Sequence, residues 1–138
     1  MSQDVIFAPM GALAALTFGV LGLIPVQRVR AARSGVVTPR DFRLGESARV
    51  PDFAMLPNRN YMNLLELPTL FYPVCLMFYV AHRVDAAAVV MAWAYVVLRA
   101  VHSVIHLTYN GVMHRLAAFA ASNVALGLLW AWFFIKGG

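Results

Sequence analysis

The chain is short of charge. Of its 138 residues only 12% are Asp, Glu, Lys or Arg, while 62% are hydrophobic. Soluble domains average about 25% charged and about 45–50% apolar residues, so an ordinary soluble domain is excluded. There is a single cysteine, Cys75, set in an apolar stretch. It permits no internal disulfide framework and is expected to be a small buried hydrophobe. The first apolar run follows Ser2, Gln3 and Asp4, with no positive segment before it. It is also too long for the core of a signal peptide, so it is expected to remain as a membrane span. No glycine-rich phosphate loop, cysteine pair, convincing nucleophilic triad or repeat stands out.

Long apolar runs are what the chain has instead. Val5 to Val26 carries no charge over 22 residues, and Leu116 to Ile135 none over 20. Each is long enough to cross a hydrocarbon core of about 30 Å. Four spans are expected, at about 5–27, 61–81, 86–109 and 115–136, in one domain covering 1–138. The connections His82–Asp85 and Asn110–Gly111 are short, which makes neighbouring helices antiparallel. The expected fold is an all-α integral membrane protein, an up-down bundle of four transmembrane helices. Seven of the ten arginines (Arg28, Arg30, Arg33, Arg40, Arg43, Arg49 and Arg59) lie between the first two spans. Beside membrane spans these fit the positive-inside rule better than nucleic-acid binding. They place the loop of about 28–60 in the cytoplasm and both termini on the opposite side. The Ala- and Arg-rich, Lys-poor composition suggests a GC-rich bacterium, and the expected location is then a bacterial inner membrane. Within the basic loop, Thr38 followed by Pro39 predicts a short helix near 39–47. In the first span, Gly11, Ala15 and Gly19 stand at the four-residue spacing that lets helices approach closely in lipid.

Polar residues inside the spans carry the functional signal. Arg99, His102 and His106 share one face of the third span, at offsets of three and seven residues. Ionisable groups at such depth are expensive and face a bundle interior or a wet cavity. The second span carries Arg59, Asn63 and Glu66 on one face. A buried carboxylate needs a partner, and Arg99 is the expected partner of Glu66. Tyr109 and Asn110 continue the stripe at the helix end, and Arg115 opens the fourth span. A funnel is expected, lined by Arg28, Arg59, Asn63, His102, His106, Tyr109 and Arg115. Its cations suit an anion bearing carboxylates or a thiolate. The bland alternatives are that Arg28, Arg59 and Arg115 meet lipid headgroups, Arg28 above all, and that Glu66–Arg99 is a structural pair fixing helix register. His102 and His106 could hold a metal with Glu66 as a third ligand, but the Arg99 guanidinium opposes it, so no metal is expected.

This pattern resembles the MAPEG family, the membrane-associated proteins in eicosanoid and glutathione metabolism. The resemblance rests on four spans, a basic loop after the first, Asn63-x-x-Glu66 before Pro68, Arg99-x-x-His102, and Arg115 sixteen residues after Arg99. It implies a homotrimer that holds glutathione as co-substrate between protomers near the cytoplasmic face. It implies binding by Arg28, Asn63, Glu66, Arg99, His102 and Arg115, with His106 and Tyr109 as further candidates. Arg115 would stabilise the thiolate for attack on a lipophilic electrophile, in a transferase or peroxidase. His106 departs from the family, where many glutathione-using members have tyrosine, and Tyr109 is displaced by three residues. The alternative is a non-enzymatic membrane subunit of the same fold that binds lipid or a partner membrane protein.

Overall fold

The computed structural model describes residues 1–138 and contains helices and connecting turns only. Helix α1 spans Phe7–Arg33, α2 Asp52–Leu64, α3 Phe71–Val80, α4 Ala86–Leu107 and α5 Val112–Gly137. Four helical stretches are long and apolar enough to cross a membrane: Gln3–Arg33, Asp52–Val80, Ala86–Leu107 and Val112–Gly137. Helix α4 is central, packed along α5 and touching α1 and α2.

Two stretches differ from the expected spans for physical reasons. Helix α1 does not stop where the apolar run ends but carries Arg28, Arg30 and Arg33 on its last turns. Arginine is a good helix former, and cations favour a helix C-terminus. The second crossing starts earlier than the apolar pattern and is two helices rather than one. Pro68 has no N–H to give the Leu64 carbonyl, and its ring crowds that carbonyl. Helix α2 therefore ends at Leu64, Glu66 leaves helical geometry with ψ −110°, and a 3-10 turn over Leu67–Leu70 leads into α3.

The core is a column of apolar side chains, among them Leu13, Phe71, Val74, Phe78, Ala88, Ala92, Tyr95 and Leu129. Phe71 stacks on Tyr95 with ring centroids 4.9 Å apart. In lipid such contacts stabilise by dispersion and fit rather than by escape from water, and small residues on α4 let its neighbours come close. Cys75 is buried within this column, as a small hydrophobe. Gly11, Ala15 and Gly19 are exposed, and a Cβ added at either glycine would meet nothing. Large apolar residues such as Phe18, Val80, Val90 and Phe134 are exposed all round the bundle, as expected where lipid is the solvent.

The end of the bundle opposite the basic loop is tied together. Gln3 Nε2 donates to the Val84 carbonyl (3.3 Å), and the Val84 amide donates back to Gln3 Oε1 (2.9 Å). Asp85 caps α4 by accepting from the Ala88 amide at 2.8 Å. The same carboxylate accepts from the Trp132 indole at 3.3 Å and pairs with Lys136. Both chain termini thus meet the α3–α4 turn.

At the other end, the basic loop is folded. Val37 and Val50 pack with Ala31 and Ala54 in a second, smaller core. The expected helix near 39–47 is only a 3-10 turn, Pro39–Phe42. Its capping box ends with Asp41, whose carboxylate accepts from the Thr38 amide (2.8 Å) and the Ser47 hydroxyl (2.7 Å). Those bonds, backbone Thr38 foremost, and the nearby Arg49 hold the Asp41 carboxyl below its ordinary pKa.

Candidate functional site

A cavity of about 710 Å³ opens at the basic end between the loop, α2, α4 and α5. Asn58, Arg59 and Asn63 reach it from α2, Glu66 from the break after α2, His102 and His106 from α4, and Arg115 from α5. The sequence brings them together in three ways. The helical period of α4 stacks His102 and His106 one turn apart, with ring centroids 5.7 Å apart. The break before Pro68 turns Glu66 out of the α2 face. The α4–α5 turn places Arg115 on the first turn of α5, because Asn110 adopts φ +49°, a left-handed conformation that asparagine tolerates. From there Asn110 Oδ1 accepts from Arg115 Nη1 at 2.6 Å.

Arg99 lies behind the wall of this cavity rather than in it. It is 0% exposed, and its Nη2 donates to Asn63 Oδ1. The expected Glu66–Arg99 ion pair is absent; the only ion pair in the structure is Lys136–Asp85. The helix break at Leu65–Glu66 explains the difference: it leaves Glu66 exposed while Asn63, still helical, faces α4. Two members of the expected funnel lie elsewhere. The Arg28 guanidinium sits over the Phe42 ring of the loop, 4.7 Å from its centroid. The Tyr109 hydroxyl is exposed and bonded to His114 Nδ1 at 2.8 Å. Neither lines the cavity.

The α4 face around the cavity leaves polar atoms without partners. Arg99 Nε and Nη1, His102 Nδ1, His106 Nδ1 and Tyr95 Oη are all buried and unbonded. Opposite them, buried Asn60 accepts from the Ser103 hydroxyl at 3.3 Å but leaves its own Nδ2 unpartnered. A buried polar atom without a partner costs about 1–3 kcal/mol; further such atoms are Gln27 Oε1, Arg28 Nε and Asn123 Oδ1, outside the cavity lining. Two residues here escaped sequence reasoning. Asn60 stands beside Arg59 and carried the same signal as Asn63, a polar side chain on α2. Glu46 lines the cavity from the basic loop, where nothing in the local pattern marks it.

Chemically, the lining sets two cations against two carboxylates, so only part of it favours negative charge. Arg59 and Arg115 are cations at the mouth, and the first-turn amides of α5 add their partial positive charge. The cavity also carries two carboxylates, Glu46 and Glu66, and so is not a uniformly basic patch.

These features define a small helical membrane protein with a polar cavity at the basic end of its bundle. The chain belongs to the MAPEG family, whose model matches residues 6–135. The family includes glutathione transferases and peroxidases as well as members that are not enzymes. No curated protein and no solved structure matches the chain.

Proposed function

We propose that this protein is a glutathione-dependent transferase or peroxidase acting on lipophilic electrophiles within a bacterial inner membrane, as a homotrimer. One observation carries the reading: Arg115, fixed by Asn110 on the first turn of α5, lines a cavity at the basic end of the bundle together with Asn63, Glu66, His102 and His106. Arg115 and the α5 N-terminus would lower the pKa of a thiol and raise its thiolate fraction at neutral pH. His102 and His106, which line the cavity, would bond the peptide, while Arg99 would hold Asn63 in place. Electrophiles would enter sideways from the bilayer. The outward strip of Gly11, Ala15 and Gly19 offers a face for close approach between protomers, and Arg28 and Tyr109 would join the site only from that wider assembly. Both termini would lie on the non-cytoplasmic side.

The test is calorimetric titration of the detergent-purified protein with glutathione, together with conjugation assays. Saturable binding is expected. Arg115→Ala should lower kcat/KM by about 100-fold or more, the usual cost of removing one donor to developing negative charge. Absence of binding, or unchanged activity in Arg115→Ala, overturns the proposal. The competing reading, a non-enzymatic subunit that binds lipid or a partner membrane protein, draws on the absence of any tyrosine from the cavity lining. Copurified lipid in the cavity or a stable heteromeric complex would favour it.

A further inference from the structure

The cation at the start of α5 is held by a neutral atom. Arg115 lines the cavity together with two carboxylates, Glu46 and Glu66, yet pairs with neither. Its Nη1 donates instead to Asn110 Oδ1 at 2.6 Å. An amide oxygen fixes a guanidinium and leaves its positive charge uncancelled. A carboxylate in the same place would fix it and offset much of its field.

The backbone does not by itself select asparagine here. Asn110 has φ +49°, a conformation open to glycine, asparagine and aspartate. Its amide donates to the Ile105 carbonyl at 2.8 Å and closes the end of α4, a bond that needs no particular side chain. The rest of the turn holds itself. A Cβ on Gly111 would lie 2.5 Å from the Tyr109 ring, so only glycine lets that ring lie over the turn. The Tyr109 hydroxyl is in turn bonded to His114 Nδ1. Glycine at position 110 would satisfy the chain but release Arg115. Aspartate would satisfy the chain and hold Arg115, but would neutralise it. Of the three, asparagine alone aims the cation and keeps its charge.

We propose that Asn110 is a positioning residue that holds the Arg115 guanidinium through a neutral oxygen, so that its charge stays available to an anionic ligand atom in the cavity. The inference rests on the glutathione reading, in which that atom is the thiolate sulfur. The α4–α5 turn, with Asn110 outside the cavity lining, then governs how far the thiol is acidified.

Ultraviolet titration of the thiolate of bound glutathione tests this, with kcat/KM against pH, in the full-length protein and in Asn110→Asp and Asn110→Gly. The other charged and titratable groups of the lining (Arg59, Glu46, Glu66, His102 and His106) are the same in all three proteins. Asn110→Asp should raise the pKa of the bound thiol by about one unit or more and move the pH profile with it. Asn110→Gly should lower kcat/KM about tenfold, the size of one charge-assisted hydrogen bond. In an Arg115→Gln background the glycine substitution should have no further effect, because Asn110 acts through that guanidinium. Thermal melts check that each variant is folded; if Asn110→Asp does not fold, the glycine cycle decides. If Asn110→Gly matches the wild type, or loses as much activity in the Arg115→Gln background, the proposal is overturned. If Asn110→Asp leaves the thiol pKa unchanged, the neutrality of the oxygen has no bearing, and the proposal is again overturned. In each of these cases the glutathione reading stands. If the wild type binds no glutathione, that reading fails and the inference with it.

Discussion

The two ends of this bundle use polar residues in opposite ways. At the end where the termini meet, Gln3, Val84, Asp85, Trp132 and Lys136 complete one another's hydrogen bonds. None of their side-chain atoms is left buried and unbonded. At the basic end, Glu46, Asn60, Arg99, His102 and His106 each keep at least one buried atom without a partner. Polar atoms in a membrane protein are costly in either setting, so the contrast separates two purposes. Closed networks hold helices in register; on the function proposed above, the open ones serve a ligand.

The contrast breaks if both ends respond alike to mutation. Arg99→Met exchanges a buried, partly unpaired cation for an apolar chain of similar length. Removing such a charge is often neutral or stabilising, and half-buried Asn63 can turn to water. The melting temperature should hold or rise, while glutathione affinity falls about tenfold through the loss of charge and of Asn63 positioning. Thermal melts by circular dichroism and titration calorimetry read the two quantities. A large drop in stability with unchanged affinity would make Arg99 a structural residue. Asp85→Ala is the opposite test. It removes the α4 N-cap and the Lys136 ion pair, and should cost about 1–2 kcal/mol of stability with no change in glutathione affinity. Weakened binding in Asp85→Ala would mean that the two ends are coupled through α4.

The difference between the ends was only partly legible in the sequence. The four crossings, the basic loop and the α4 stripe follow from apolar run length and helical period, which are local properties. The Glu66–Arg99 pair failed because matching depth across two helices presumes that both are continuous. Pro68 carried the warning, since a proline in a helical pattern ends the helix before it. Arg28 was misplaced for a related reason: the apolar run stops at Val26, but α1 continues and carries Arg28 onto the loop. Glu46 was beyond reach. Its position depends on Gly45 at φ +102°, on Ser47 held by Asp41, and on Asn58 Nδ2 donating to Glu46 Oε1 at 3.1 Å. Contacts of that kind leave no periodic trace.

The smallest expected effect lies in the loop that presents Glu46. The Asp41 carboxyl is held below its ordinary pKa, first by the Thr38 amide, then by the Ser47 hydroxyl, with Arg49 assisting. A depressed folded pKa means that this contribution is complete above the unfolded carboxylate value near 3.9 and is lost as pH falls through the folded value. Backbone amides of 38–50 should therefore keep their hydrogen-exchange protection from neutral pH to about pH 4, then lose it by a few-fold on further acidification. Amides of the middle of α4, such as those of Ala92 and Val96, lie in the apolar core and should stay flat over the same range. Asp41→Asn should lower loop protection at neutral pH, because a carboxamide has a single acceptor oxygen where the carboxylate uses two. It should also abolish the acid step. A loop whose protection ignores both pH and Asp41→Asn would mean that Glu46 is fixed by Asn58 alone, and that the knot at Asp41 has no part in presenting it.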